Sequence, residues 1–306
     1  MPGFLIASSS PTYVKLRAAI ESYLDRHAQR TYSVDVCTMS TLDWLKIALL
    51  GSDFREYLHR AAALIDTRFA DHDGGDVGST GIVDDEDDED DEDDEDDEDD
   101  EDDEDDEDDE DDEDVVLVGH SAGGWVARLL LLIGSDADEG AMVAYNGTFF
   151  PGLGKKVKRL ITLGTPHLSK ELYPFGRVKE TVRNTLGVND ACYDSSLVFT
   201  NKYVGRWEGA LSPTEVVAFV GVLPDSSGGG PEGAASTMMT QVSYRANAGF
   251  YRDGMEGDGV TPVCVGGVGA WGEAEGGVVT RIDGCSHFEY DAYVDVWGPY
   301  LVPREE

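Results

Sequence analysis

Residues 115–133, VVLVGHSAGGWVARLLLLI, admit few folds. Val115 to Val118 is short, apolar and mostly β-branched, which predicts a strand buried on both faces, and such a strand belongs to a parallel sheet covered by helices on each side. Gly123 to Ile133 then predicts an apolar helix closed by Gly134. Between them Gly119-His120-Ser121-Ala122-Gly123 must turn the chain sharply, and a side chain at either glycine would collide with neighbouring backbone.

The rest of the chain repeats the alternation of strand and helix. Tyr13 to His27 reads as a helix and TYSVDVCTM, 31–39, as a strand. Leu42 to Leu50 is helix-like, and Phe54, Leu58, Ala61, Ile65 and Phe69 recur at helical spacing, with Asp53 and Glu56 placed as a capping box. Further strands are expected at 157–165, 216–222 and 278–282, and the Gly- and Ser-rich 225–236 as a loop. The pattern predicts one α/β domain over 1–306, its central sheet mostly parallel with helices on both faces.

One stretch breaks the alternation. Residues 84–114 are a DDE-type repeat without a neutral side chain, inside a connection, 71–114, far longer than such loops usually are. Self-repelling carboxylates have no apolar surface to bury, so 71–114 is expected to be a disordered insert. The run holds 31 of the 63 acidic residues, so the other 275 residues carry −9 of the formal −40. The remainder is mildly acidic with no basic cluster, which argues against nucleic acid as a partner. No apolar run is long enough to span a bilayer, and MPGFLIASSS lacks the basic start of a signal peptide. Cys37, Cys192, Cys264 and Cys285 show no CxxC spacing, as expected of reduced thiols in a cytosol-like compartment: the cytoplasm, or a plastid if the chain lacks its true beginning. The acidic run is a candidate docking arm for a basic protein or a weak Ca²⁺ sink, against the simpler reading of a solvated expansion without a specific role.

Within the turn, Ser121 is a candidate nucleophile, because G-x-S-x-G between a strand and a helix holds a serine on a sharp, exposed corner. A serine needs a histidine to take its proton and a carboxylate to orient that histidine. His27 and His59 fall on surface helices, His72 in a polar loop, and His120 within the turn itself. His167 and His287 remain. In the α/β-hydrolase arrangement that this elbow resembles, the acid and then the histidine follow the serine, the histidine after the last strand, which favours His287. His167 is then expected to line the pocket or brace its loop. The acid should lie between the strands at 216–222 and 278–282. Asp258, in EGDGVTPV, is flanked by glycines that can turn its carboxylate inward, and Asp225, in LPDSS, is the alternative.

Taken in order, VVLVGHSAGGWVARL, VKRLITLGTPHL, GDGVTPV and a histidine after the final strand resemble the α/β-hydrolase serine esterases and lipases, nearest to the GPI inositol-deacylase-like and plant or algal lipase-like group. The resemblance implies Ser121 as nucleophile, Asp258 as acid, His287 as base and a carboxylic, lipid-like acyl ester as substrate, with a thioester or a GPI-type acyl group as alternatives. It further implies an oxyanion hole from the backbone N–H of Ala122 and that of Phe4, in Pro2-Gly3-Phe4. No metal or organic cofactor is required by that chemistry. Residues 168–255 would contain the lid and acyl pocket, with Leu172, Tyr173, Phe175, Leu186, Tyr193 and Leu197 as apolar lining.

The chain departs from the pattern at its start, where Met1 directly precedes Pro2 and the strand expected to lead into PGF is missing. This predicts a gap or exposed edge beside the nucleophile strand. Either FLIAS is a shortened strand and Ser8 or Ser9 supplies the donor, or the chain lacks its true beginning, the reading favoured here. The rival expectation is a catalytically inactive scaffold of the same fold.

Overall fold

The computed structural model describes residues 1–2, 7–50, 52–70, 115–134, 144–169, 181–183, 189–191, 200–201, 214–223, 231–267 and 279–302. The acidic run and Phe4, Asp225 and the six apolar candidates between Leu172 and Leu197 lie outside them.

Helices α1 (Pro11–His27), α2 (Thr41–Leu50) and α3 (Arg55–Ala70) precede strand β1 (Val115–His120) and helix α4 (Ala122–Ile133). A short turn of helix, α5 (Leu153–Lys156), leads into β2 (Val157–Leu163). After the small antiparallel pair β3 (Thr181–Arg183) and β4 (Asn189–Ala191) come β5 (Glu215–Val222), α6 (Pro231–Ala248), α7 (Val263–Gly266), β6 (Thr280–Asp283) and α8 (Val294–Trp297). The main sheet has the order β1-β2-β5-β6, and all its pairings are parallel. The α/β architecture read from the sequence is therefore the observed one.

Alternation along β1 explains why it must be apolar on both sides. Val115 and Leu117 pack with α2, α3 and α4 on one face, and Val116 and Val118 with α1 and the C-terminal segment on the other. Strand β2 does the same through Leu160 on the first face and Ile161 and Leu163 on the second. Helix α4 is buried along its whole length, as a helix without a polar face must be. Among the described residues no helix is long and apolar enough to cross a membrane.

Three local expectations differ from the structure. The loop read over 225–236 gives way at Pro231 to helix α6, because a proline at a helix start followed by Glu232, Ala234 and Ala235 favours helix over loop. The segment 31–39 runs extended, but it forms no ladder with the described residues of the sheet. Its alternating side chains pack instead, Tyr32 and Val34 against one core and Cys37 and Met39 into the other, so burial alone satisfies the period-two pattern. The reciprocal capping box occurs at α2, where the Ser40 N–H donates to Asp43 Oδ2 (2.9 Å) and the Asp43 N–H to Ser40 Oγ (3.1 Å). At α3, Asp53 instead accepts from the Arg55 N–H, the Arg55 Nε and Asn146 Nδ2, which occupy both of its oxygens.

Beside β1, Met1 continues the parallel ladder opposite Gly119: its amino group donates to the Val118 carbonyl (2.6 Å), and its carbonyl accepts from the His120 N–H (3.1 Å). Val115 to Val118 remain only half-buried. Glycines make this crowding possible. A Cβ at Gly119 would lie 2.4 Å from Gly124 Cα, and one at Gly123 2.2 Å from the Met1 carbonyl oxygen. Gly119→Ala is therefore expected to lower the free energy of unfolding by about 3 kcal/mol or more, because backbone must move. Gly254→Ala meets nothing within 4 Å and has only its φ of +75° to overcome, a cost of about 1–2 kcal/mol. Urea denaturation of the two variants checks the contrast.

Candidate active site

Parallel strands bring their carboxyl ends to one edge, and the candidate residues all follow those ends. Ser121 directly follows β1 and opens the turn into α4. Its φ of 53° and ψ of −130° are a strained conformation for a residue with a side chain, costing about 1–3 kcal/mol. The surroundings enforce it: the Ser121 N–H donates to the Leu163 carbonyl (2.8 Å), one step beyond the end of the β1–β2 ladder. Ser121 is partly exposed, and Ala122 is the first residue of α4, so its N–H is among the helix's first-turn donors.

Asp258 lies in the turn after α6. Gly257 and Gly259 allow that turn: a Cβ at Gly257 would lie 2.3 Å from the Tyr244 hydroxyl, and Gly259 has a φ of +93°. Helix α6 holds it from outside, with Ser243 Oγ (2.8 Å) and Asn247 Nδ2 (3.0 Å) both donating to the Val260 carbonyl. The Leu223 N–H, just past β5, donates to the Gly257 carbonyl (2.9 Å) and docks the turn on the sheet edge. Asp258 is thereby 1% exposed.

Its carboxylate meets four donors. Oδ1 accepts from the N–H groups of Val260 (3.0 Å) and Thr261 (2.7 Å). Oδ2 accepts from His287 Nδ1 (2.7 Å) and the Tyr290 hydroxyl (2.9 Å). With its Nδ1 proton directed at Asp258, the neutral His287 ring leaves the Nε2 lone pair open to accept a proton. The His287 N–H also donates to the Asp258 carbonyl (2.9 Å), so backbone and side chain fix the pair together.

Gly164 connects this pair to the serine. It follows Leu163, with a φ of +58°, and a Cβ there would lie 2.6 Å from Asp258 Oδ2 and 2.9 Å from His287 Nδ1. His120 makes a second connection: its Nε2 donates to the His287 carbonyl (2.7 Å), and its Nδ1 accepts from the Tyr13 hydroxyl (3.0 Å). Ser121, Asp258 and His287 are thus gathered at one edge of the sheet. His167 lies apart from them, fully buried, donating from Nε2 to Thr162 Oγ1 (3.0 Å) and accepting at Nδ1 from Arg128 (3.1 Å). It braces the loop after β2, the second of its two expected roles. The Phe4 N–H and Asp225 lie outside the described residues. Among the described residues no group of three or more His, Cys, Asp or Glu is placed to hold a metal ion.

Three contributions went unseen in the sequence: Tyr290 on Asp258, His120 on the His287 backbone, and Tyr13 on His120. The spacing His287-x-x-Tyr290 is too short and common to stand out, and Tyr13 is 107 positions from His120.

Burial, and then the nearby His287, push the His120 imidazole down to about 3. Burial, and then the Arg128 charge, hold His167 well below the usual histidine range. Both rings are neutral in the folded chain and take up protons on unfolding below pH about 6.5. Their contribution to stability is complete above that value and is lost as pH falls below it, the loss from His120 continuing to about 3. The urea midpoint is therefore expected to drop between pH 7.5 and 5, and to drop less in His120→Gln, whose amide keeps an N–H for the His287 carbonyl but cannot titrate. An equal drop in both chains would contradict this assignment.

A model of the alpha/beta hydrolase family matches residues 42–295, a span that takes in the serine turn, the aspartate turn and the histidine loop. No curated protein sequence matches closely enough to lend a more specific activity. The match covers most of the chain, and the sheet is parallel with helices packed on both faces; the chain belongs to the alpha/beta hydrolase family, whose members are generally hydrolytic.

Proposed function

We propose that this chain is a serine hydrolase that cleaves a carboxylic ester with a lipid-like acyl group through an acyl-enzyme. The observation that carries the reading is the buried Asp258–His287 pair, bonded at 2.7 Å, at the same sheet edge to which the strained turn at Ser121 belongs. His287 Nε2 takes the Ser121 hydroxyl proton as Oγ attacks the ester carbonyl, and Asp258 holds the imidazolium that forms. The oxyanion is stabilised by the Ala122 N–H at the start of α4, with the Phe4 N–H as second donor. Collapse of the tetrahedral intermediate breaks the bond to the alcohol oxygen, which leaves with the proton from His287. Water, deprotonated by the same ring, then releases the acid. Met1 and Pro2 pass against Gly123 in the first turn of α4, which supports the donor role of the segment that follows them.

The acyl class draws on the likeness of the motif set to lipase-like and inositol-deacylase-like esterases. It also draws on Phe288, which is 49% exposed beside His287 and meets that ring edge-on with centroids 5.0 Å apart. An apolar ring at the mouth of the site suits an alkyl chain better than a charged substrate.

Ser121→Ala is expected to lower kcat on a short-chain p-nitrophenyl ester by about 10³-fold or more with the urea midpoint retained, and an undiminished rate would contradict the proposal. Asp258→Asn is expected to lower kcat by about 10⁴-fold, because an amide can present its N–H to Nδ1 and favour the tautomer that protonates Nε2. A loss confined to KM in the second variant would remove Asp258 from the role of acid.

A further inference from the structure

Tyr290 is 2% exposed and begins a 3₁₀ turn, Tyr290–Tyr293, just beyond the histidine loop. Its hydroxyl stands between two groups from distant parts of the chain. It donates its single proton to Asp258 Oδ2 (2.9 Å), the oxygen that also takes the His287 Nδ1–H, and it accepts from the Gly221 N–H of β5 (2.9 Å). Its backbone is anchored separately, where the Trp297 indole N–H donates to the Tyr290 carbonyl (2.9 Å). A bare glycine at 164 leaves room for this arrangement, since a Cβ there would lie 2.9 Å from the Tyr290 oxygen.

We propose that Tyr290 is a positioning residue for the acid–base pair: its proton fixes the Asp258 carboxylate towards His287 and sets how strongly that carboxylate stabilises the imidazolium. The inference rests on the reading of Asp258 and His287 as acid and base. Two donors on Oδ2 share one oxygen's negative charge, so each receives less of it than it would alone. Withdrawing the phenol leaves the carboxylate a stronger partner for His287 and makes the protonated ring more stable. Strengthening the phenol as a donor does the reverse. Burial, and then the Asp258 charge, hold the Tyr290 hydroxyl well above its usual range, so it remains a donor throughout the working pH span. The other polar groups around the pair do not take this role. His120 reaches the His287 carbonyl but not the carboxylate, and the Tyr244 hydroxyl accepts from the Gly259 N–H. The Cys285 thiol, pushed up to about 12 by burial and then by Asp258, stays neutral.

The test uses two changes of opposite sign in the full chain: Tyr290→Phe, and 3-fluorotyrosine placed at position 290, which keeps the hydroxyl but makes it a stronger donor. The readouts are the imidazole NMR titration of His287 and the pH profile of kcat/KM on a p-nitrophenyl ester. Tyr290→Phe is expected to move the His287 titration and the acid limb of kcat/KM upward by about half a pH unit, and the fluorinated side chain to move both downward. If removing the hydroxyl prevents folding, the fluorinated chain alone carries the test. A His287 titration unmoved in every folded variant would overturn the proposal and reduce Tyr290 to a packing residue. A titration that moves as expected in a chain whose Ser121 hydrolyses no ester supports Tyr290 as the positioning residue, and contradicts the serine hydrolase reading separately.

Discussion

A carboxylate with 1% of its surface exposed must find inside the protein what water would have given it. Removing such a group from water costs several kcal/mol, and a hydrogen bond to a charged group returns about 1.5–3 kcal/mol, so one or two donors would not be enough. Asp258 has four, two from its own turn and two from the segment after β6. Val260 and Thr261 require the tight turn with its flanking glycines. His287 requires the loop after β6 to end at one place, and Tyr290 ties the carboxylate to the Gly221 N–H of β5. The geometry of the site follows from satisfying that buried charge.

The sheet supplies the other half. Its parallel strands deliver Ser121, Gly164, Leu223 and Gly284 to one edge, and hydrogen bonds just beyond the ladders lock the level of three of them: Ser121 to Leu163, Gly164 to Phe219, Gly284 to Val222. Close approach of β1 to α4 is possible because Gly119 presents bare backbone to Gly124, and Gly124 in turn leaves room for Thr165; the strain at Ser121 is sustained by the packing of a wholly buried helix behind it. Stability is spent here to keep a hydroxyl on a fixed corner.

What could be read from the residues in advance was whatever announces itself locally. Val115 to Val118 declared a strand packed on both faces and the apolar α4 a buried helix, and the glycines around Ser121 and Asp258 declared tight turns. The strand expected at 31–39 pairs with no described strand, because alternating burial arises whether or not a ladder forms. Equally hidden were the roles that depend on residues far apart in sequence. Nothing local in GHS says that His120 will hold the His287 carbonyl, or that a tyrosine three places after His287 will reach both Asp258 and β5. Those partners are chosen by the register of the sheet, which no short motif encodes.

The central claim is that the Asp258–His287 pair makes Ser121 a nucleophile. It is tested most directly by treating the full chain with a fluorophosphonate and locating the adduct by peptide mass spectrometry. The account predicts one phosphonylated residue, Ser121, labelled in the parent chain and not in His287→Ala. A chain that takes up no label, labels at another serine, or labels Ser121 equally well without His287 would contradict it.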